Sequence, residues 1–418
     1  MPPVKTDPLT PGDRLECRVG QVWFWEGYFT RVGIDLISYY GAELIQVTDL
    51  DLLAIGLGPG LESHRTIGES KSGTGKSAPK PLDRIVWLRG LQELVGAERA
   101  ELTVASSVTP RTRELGRHSR VSVESINDLQ AREAALNLSK LTDLGAHGPN
   151  ALLLRRTVKV VSKDDPTLGP AFKFLTSTVW FLDPFAALKQ SLGLLETLCQ
   201  RWTPGVKDDE QLAVRWLISE TLSIWVLNLV TIVGFVRPMD PSAFTSFLRE
   251  RLADGVVPAQ RMRQLSRDFD KFISGLLAAA KASPEVRTEA MGAFEPSPPE
   301  WADSAAELAI RLGRQPALRD LPRQLDLVVH ERLARGRDIS EAAGAQLRLN
   351  DPAARSSVSL IAAFLRSFGS LKDDISELLI AGFGKPAQAP PEPAPQQEIE
   401  ATALTLPGLD AADSVAED

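Results

Sequence analysis

The sequence predicts an α/β N-terminal domain, then a large all-α helical region, then a disordered acidic tail. Three observations carry this expectation. Before Asn127, short β-type runs alternate with helical spacings. After it, long apolar-periodic segments follow one another with few strand signals. Beyond Lys385 the chain is Pro/Ala-rich, and from Pro386 to Asp418 it holds seven acids and no Lys or Arg. The expected boundaries are an extension over 1–12, the α/β domain over 13–130, helices over 131–384 with a split near 296, and the tail over 385–418.

The elements follow in order. Leu15 to Tyr40 has helical length and dense apolar content, and Gly41 ends it. Leu44 to Ile55 reads as a strand, closed by the turn Gly56-Leu57-Gly58-Pro59-Gly60. His64 to Ser70 is a second strand, and Ser72 to Pro81 a polar loop. Ile85, Leu88, Leu91, Leu94 and Val95 give Leu82–Val95 a helical spacing. Glu101–Ser106 is a strand, Pro110–Arg117 a short helix that proline can begin, and Val121–Ile126 another strand. Helical segments then run over about 127–142, 170–202, 209–236, 241–254, 257–282, 300–313, 321–335, 339–348 and 352–382. The strand signal in this region is Thr157 to Val161. No fixed-period self-similarity indicates a solenoid.

Composition excludes several classes. The chain has 418 residues, enough for two or three domains, with 43% hydrophobic and 24% charged residues, as in ordinary globular proteins. Two cysteines cannot staple such a length, so a reducing compartment, the cytoplasm, is expected. Met1 to Pro11 contains no apolar segment of the signal-peptide type. Four scattered histidines argue against a His-rich metal centre, so any metal should be a hard ion held by carboxylates. Leu222 to Val236 is the most apolar run. It is shorter than the roughly 20 residues that span a bilayer and reads as a buried core helix. The net charge of −7 lies wholly in the tail, since the rest of the chain carries 47 basic and 47 acidic residues. Between Arg65 and Arg120 eleven Lys or Arg meet six acids, a local excess that suits a polyanionic partner or a solvated face. Lys76, Lys80, Arg84, Arg89, Arg113 and Arg117 are the candidate nucleic-acid contacts there.

The chemistry-bearing stretch is Val47-Thr48-Asp49-Leu50-Asp51-Leu52-Leu53-Ala54-Ile55, followed by Ile67-Gly68-Glu69-Ser70-Lys71. A period of two puts Asp49 and Asp51 on one face with Ile45, Val47, Leu53 and Ile55, and puts Glu69 and Lys71 on one face with Ile67. If the strands pair through the Gly56–Gly60 hairpin, Asp51, Glu69 and Lys71 converge at one end of the sheet. Ionised groups on apolar faces cost several kcal/mol unless they are paired or metal-bound. Two such carboxylates can hold Mg²⁺ or Mn²⁺, and a lysine beside them can neutralise charge developing on a phosphate.

At these residues the sequence resembles the PD-(D/E)XK superfamily of restriction-endonuclease-like nucleases. Its pattern is an Asp at a strand end, a variable hairpin, and Glu-x-Lys on the next strand. Asp51 and Glu69-Ser70-Lys71 match it, with 17 residues between. The resemblance covers about Leu15 to Ile126 and implies a restriction-endonuclease-like domain. It implies metal ligation by Asp51 and Glu69, with Lys71 catalytic. Many members add a Glu on the first helix, and Glu26 is the candidate. Helical spacing places it with Val22 and Phe29; a surface acid beside Arg31 is the other reading. Arg84 and Arg89 occupy the helix that often carries phosphate-binding basic residues in the family. Asp49 is expected to support the site and not to ligate.

Other signals are weaker. Gly75-Lys76-Ser77 lacks the first glycine of a phosphate-binding P-loop, because position 70 is Ser, and the segment is read as a loop over the site. Trp23, Phe24, Trp25, Tyr28 and Phe29 read as first-helix core, and Cys17 has no neighbouring His to activate it. Leu404–Leu409 is a short apolar patch in the tail. The leading expectation is a metal-dependent nuclease, acting on DNA sooner than RNA, in defence against foreign DNA or in DNA processing. Its helical region would sense, self-associate or hold a protein partner. The alternative is an inactive nuclease-like binding module on a helical scaffold. A third reading makes Leu222–Val236 a membrane-associating element.

Overall fold

Gly27 decides where the first helix stops. In the computed structural model, which describes residues 8–40, 43–73, 80–141, 143–255, 259–280, 296–316 and 318–384, α1 spans Pro11–Glu26. Thr10 and Asp13 cap its start reciprocally, and Pro11 occupies the first turn. Gly27 adopts φ 116°, a left-handed conformation open to glycine, and its N–H donates to the Phe24 and Trp23 carbonyls. The chain then enters strand β1, Phe29–Tyr40. The single helix expected over Leu15–Tyr40 is therefore a helix and a strand. Apolar density hid the change of period: Val32, Ile34 and Leu36 are buried on alternate positions.

Five strands form one mixed sheet in the order β1-β2-β3-β4-β5. Strand β2 is Glu43–Leu57, β3 is Ser63–Lys71, β4 is Arg99–Val104 and β5 is Val121–Ser125. The first three pair antiparallel, and β3–β4 and β4–β5 are parallel. Parallel neighbours need crossovers, supplied by α2 (Pro81–Val95) and α3 (Pro110–His118). The expected strands, turn and helices between Leu44 and Ile126 thus stand, with ends shifted by one or two residues. Helix α1 lies close on the sheet because β3 has a glycine beneath it. A Cβ at Gly68 would come 2.6 Å from Trp23 Cη2.

After α4 (Ile126–Ala135) the described chain is helical. Thr157–Val161, expected as a strand, lies inside α5 (Pro149–Ser162). There Val158 is buried and Val160 exposed, and Pro149 opens the helix. The segment expected over 170–202 divides into α6 (Leu168–Thr176) and α7 (Pro184–Arg201), because Asp183 and Pro184 start a new helix. Helix α8 (Asp209–Val233) is the helical hub. Helices α5, α6 and α7 and the helix Leu321–Val328 pack around it. Among the described residues α8 is the helix long and apolar enough to cross a membrane, and 89% of its apolar window is buried inside the protein. The described residues up to 384 form one compact unit with a continuous apolar core. The change of character near 130 is a change of secondary structure within that unit. The tail, with Leu404–Leu409, lies outside the described residues.

A buried ionic cluster ties sheet to helices. Arg31 of β1 is 4% exposed; its Nε donates to Glu220 of α8 at 2.9 Å and its Nη2 to Asp326 at 2.6 Å. His330 Nε2 lies 3.4 Å from Asp326, and His147 Nε2 lies 3.9 Å from it. Burial pushes both imidazoles down to about 3, so they remain neutral beside the charged triad. Removing one partner of such a cluster leaves an uncompensated buried charge. We expect Arg31→Met to lower unfolding free energy by roughly 3–5 kcal/mol in urea titrations. A loss below about 1 kcal/mol would mean the cluster behaves like a surface ion pair.

Candidate active site

Strands β2 and β3 part company where their charged residues begin. Their register runs from Leu57↔Ser63 to Leu52↔Gly68. One residue further along β2, the Asp51 carboxylate accepts the Ser70 N–H at 2.9 Å, taking a donor on the β3 edge that faces β2. On its other edge β3 remains paired to β4, with Glu69 opposite Leu102 and Lys71 opposite Val104. The Ala105 N–H donates to the Lys71 carbonyl at 2.9 Å. The end of β3 is thus fixed on one side and opened on the other.

Lys71 Nζ sits 3.3 Å from Asp51 Oδ2 and 2.9 Å from Glu69 Oε1, so those oxygens lie within about 6 Å of each other. Arg84 of α2 reaches Glu69 Oε1 at 3.2 Å. The convergence expected of Asp51, Glu69 and Lys71 is present. Burial pulls the Lys71 ammonium down, but Asp51 and Glu69 outweigh it and hold its pKa above the ordinary lysine value. Lys71 is therefore a cation at neutral pH and cannot serve as a base. These groups open onto a cleft of about 210 Å³, completed by Thr48, Asp49, Leu50, Gly68, Trp87, Leu88 and Leu91.

The donor set suits a hard cation. Glu69 Oε2 is buried and has no hydrogen-bond partner, so its lone pairs are unused. Among the described residues no three His, Cys, Asp or Glu side chains gather into a metal-binding group. Two carboxylates with water and phosphate oxygens completing the shell is the usual way Mg²⁺ is held. Asp51 and Glu69 are the two carboxylates that could supply it, and Lys71 lies between them.

Glu26 is not at this site. It ends α1, about 15 Å along the helix axis from Glu16. Its carboxylate binds Arg132 of α4 at 2.7 and 2.9 Å, and Arg132 also binds Glu101 and Glu124. Glu16, ten residues earlier on α1, interacts electrostatically with Asp51 and Lys71 but is not among the residues lining the cleft. Burial first, then Asp51 and Asp13, push the Glu16 carboxyl up to about 7, while Lys71 and Arg156 pull it down. A carboxyl whose neutral form is favoured beside a carboxylate–lysine pair is a mark of functional sites. The sequence signal was an acid set between the buried residues Leu15 and Cys17.

The basic candidates divide sharply. Arg84 lines the cleft. Lys80 is exposed at the start of α2, and Arg89 pairs with Glu93 and Gln92 on the same helix. Arg113 is engaged by the Val123 carbonyl at 3.0 Å and by Asp128 at 2.6 Å, a tie between α3, β5 and α4. Arg117 lies exposed in the last turn of α3, and Lys76 lies outside the described residues together with positions 74–79 of the loop expected over the site. Asp49 lines the cleft and accepts from Gln46, which also reaches Asp35. Cys17 is buried, its thiol pushed up to about 12 by burial, which excludes a thiolate nucleophile at neutral pH.

No family model matches the chain, and no curated protein matches it. A solved crystal structure described as a protein of unknown function is similar at 10% identity and a TM-score of 0.21. The match covers 51% of this chain and 97% of that one. A likeness at that level says nothing of function.

The Glu16 carboxyl makes a signed prediction. Its pKa is 4.5 when unfolded and about 7 when folded, so the folded state binds the extra proton between these values. Its contribution to stability is present below pH 4.5 and is lost as pH rises through 7. We expect Glu16→Gln to be nearly neutral at pH 5 and stabilising by roughly 1–3 kcal/mol at pH 8, read from urea midpoints. Equal effects at both pH values would contradict this placement of Glu16.

Proposed function

We propose that the protein is a metal-dependent nuclease of the restriction-endonuclease-like type, hydrolysing phosphodiester bonds in nucleic acid, DNA before RNA. The observation that carries the reading is the sharing of one lysine by Asp51 and Glu69 at the point where β2 leaves β3. The matching strand–hairpin–strand order, the helix after it and the two parallel strands beyond are consistent with that superfamily. Asp51 and Glu69 would hold Mg²⁺ or Mn²⁺. When bound, the metal supplies a Lewis acid that lowers the pKa of water and draws charge from a phosphate oxygen.

The chain's own groups take distinct parts. Lys71, held protonated, orients the attacking water and neutralises charge growing on the phosphate. Arg84 binds a neighbouring non-bridging oxygen and keeps Glu69 in place. Glu16 is the acid of the first helix whose carboxyl is influenced by Asp51 and Lys71. Burial, Asp51 and Asp13 push its carboxyl up to about 7, so it responds to the charge of the lysine–carboxylate group. The helices after α4 are assigned to sensing or assembly, and the role in defence or DNA processing rests on analogy with the superfamily. A cytoplasmic setting suits two buried, unpaired thiols.

One observation favours a second reading. Lys71 and Arg84 already neutralise the two carboxylates, and a site closed by its own ion pairs would suit an inactive nucleic-acid-binding module. Cleavage assays separate the two. The purified protein should cut DNA with Mg²⁺ or Mn²⁺ and not with EDTA. Lys71→Ala and Asp51→Ala should each reduce the rate roughly 10²–10³-fold while the fold is retained by circular dichroism. Cleavage at the wild-type rate in both variants would overturn the assignment.

A further inference from the structure

Of the eight tryptophans, all of them among the described residues, Trp87 alone is exposed, at 45%. An indole in water at the outer face of a helix forgoes a large burial gain. This one lies not on a remote surface but in the wall of the Asp51–Glu69–Lys71 cleft. It follows Arg84 by three residues on α2, so the two side chains rise from the same helical face with about 5–6 Å between their Cβ atoms. Leu88 and Leu91 close the cleft behind them and are themselves buried, which holds the helix face rigid.

A cation that reaches the carboxylates and an aromatic face one helical step away form a pair of contacts for one nucleotide, phosphate and base. We infer that Trp87 is a stacking platform for an unpaired base, and that the cleft takes a single strand in preference to the interior of a duplex. The physical reason is access. Bases inside a duplex have both faces covered by their neighbours, whereas a base in a single strand, flap or frayed end offers a free face to the indole. Stacking on an aromatic side chain accepts any base, so the platform selects strand state and not sequence. This inference rests on the nucleic-acid reading of the site, but it does not depend on cleavage.

The test is fluorescence anisotropy with the full chain in EDTA, using a labelled oligothymidine strand and a labelled blunt duplex. Trp87→Ala should weaken single-strand binding about ten-fold, equivalent to about 1.4 kcal/mol. It should leave duplex binding within about two-fold, and Trp87→Phe should restore most of the loss. Unchanged strand binding, or equal weakening for strand and duplex, would overturn the platform, as would failure of the wild type to bind either probe. Should Trp87→Ala fail to fold, Trp87→Phe against Trp87→Leu decides the same question, because both fill the site and only one stacks. Trp87-dependent strand binding without cleavage in any divalent metal would keep the platform and remove the nuclease. Metal-dependent cleavage with strand binding indifferent to Trp87 would do the reverse.

Discussion

The candidate site depends on one hydrogen bond that replaces part of a β-ladder. Past Leu52 and Gly68, the Ser70 N–H is taken by the Asp51 side chain at 2.9 Å. That exchange opens the sheet while satisfying the Ser70 N–H. It also brings a carboxylate from β2 to the same place as Glu69 and Lys71 of β3, whose far edge is clamped by β4. Charged side chains that would be costly on an apolar face are thereby gathered where they neutralise one another. Glu16, pushed toward its neutral form, is the group that gathering leaves in tension.

The helical region is not an appendage to this sheet. Arg31 projects from β1 into a pocket formed by α8 and the helix Leu321–Val328, with its guanidinium 4.4 Å from the centre of the Phe29 ring. Both carboxylates it meets are buried, so sheet and helices share charges that neither could hold alone. Apolar packing continues across the same boundary. A change in the helices that shifted Glu220 or Asp326 would be felt at β1, the strand that pairs with β2 from Glu43 to Ile55.

How much was legible in the sequence follows from which rules are rigid. Strand parity holds away from bulges, so Asp51 beside Leu53, and Glu69 and Lys71 beside Ile67, could be placed on common faces from the sequence, whereas the register shift at Val47 breaks the expected alignment of Ile45 with Asp49 and Asp51. Turn chemistry was equally plain at Gly56–Gly60. The helix-to-strand change at Gly27 was not, because Val32, Ile34 and Leu36 continue the apolar density of α1, and a lone glycine does not announce its φ. That one error moved the helix end to Tyr40 and made Glu26 look central. With α1 ending at Glu26, its other end, with Glu16, is the one near Asp51. Arg113 shows the remaining difficulty: a basic residue in a basic stretch reads as a phosphate contact until its partners, Val123 and Asp128, are seen.

The proposed function requires Asp51 and Glu69 to form one binding site for a hard cation. Crystals soaked in Mn²⁺ and measured for anomalous scattering test it directly. A peak bonded to both carboxylates, with the Lys71 ammonium displaced from at least one of them, is the result this account requires. Ordered side chains with Lys71 still bridging the two acids, and no peak between them at saturating Mn²⁺, would contradict it.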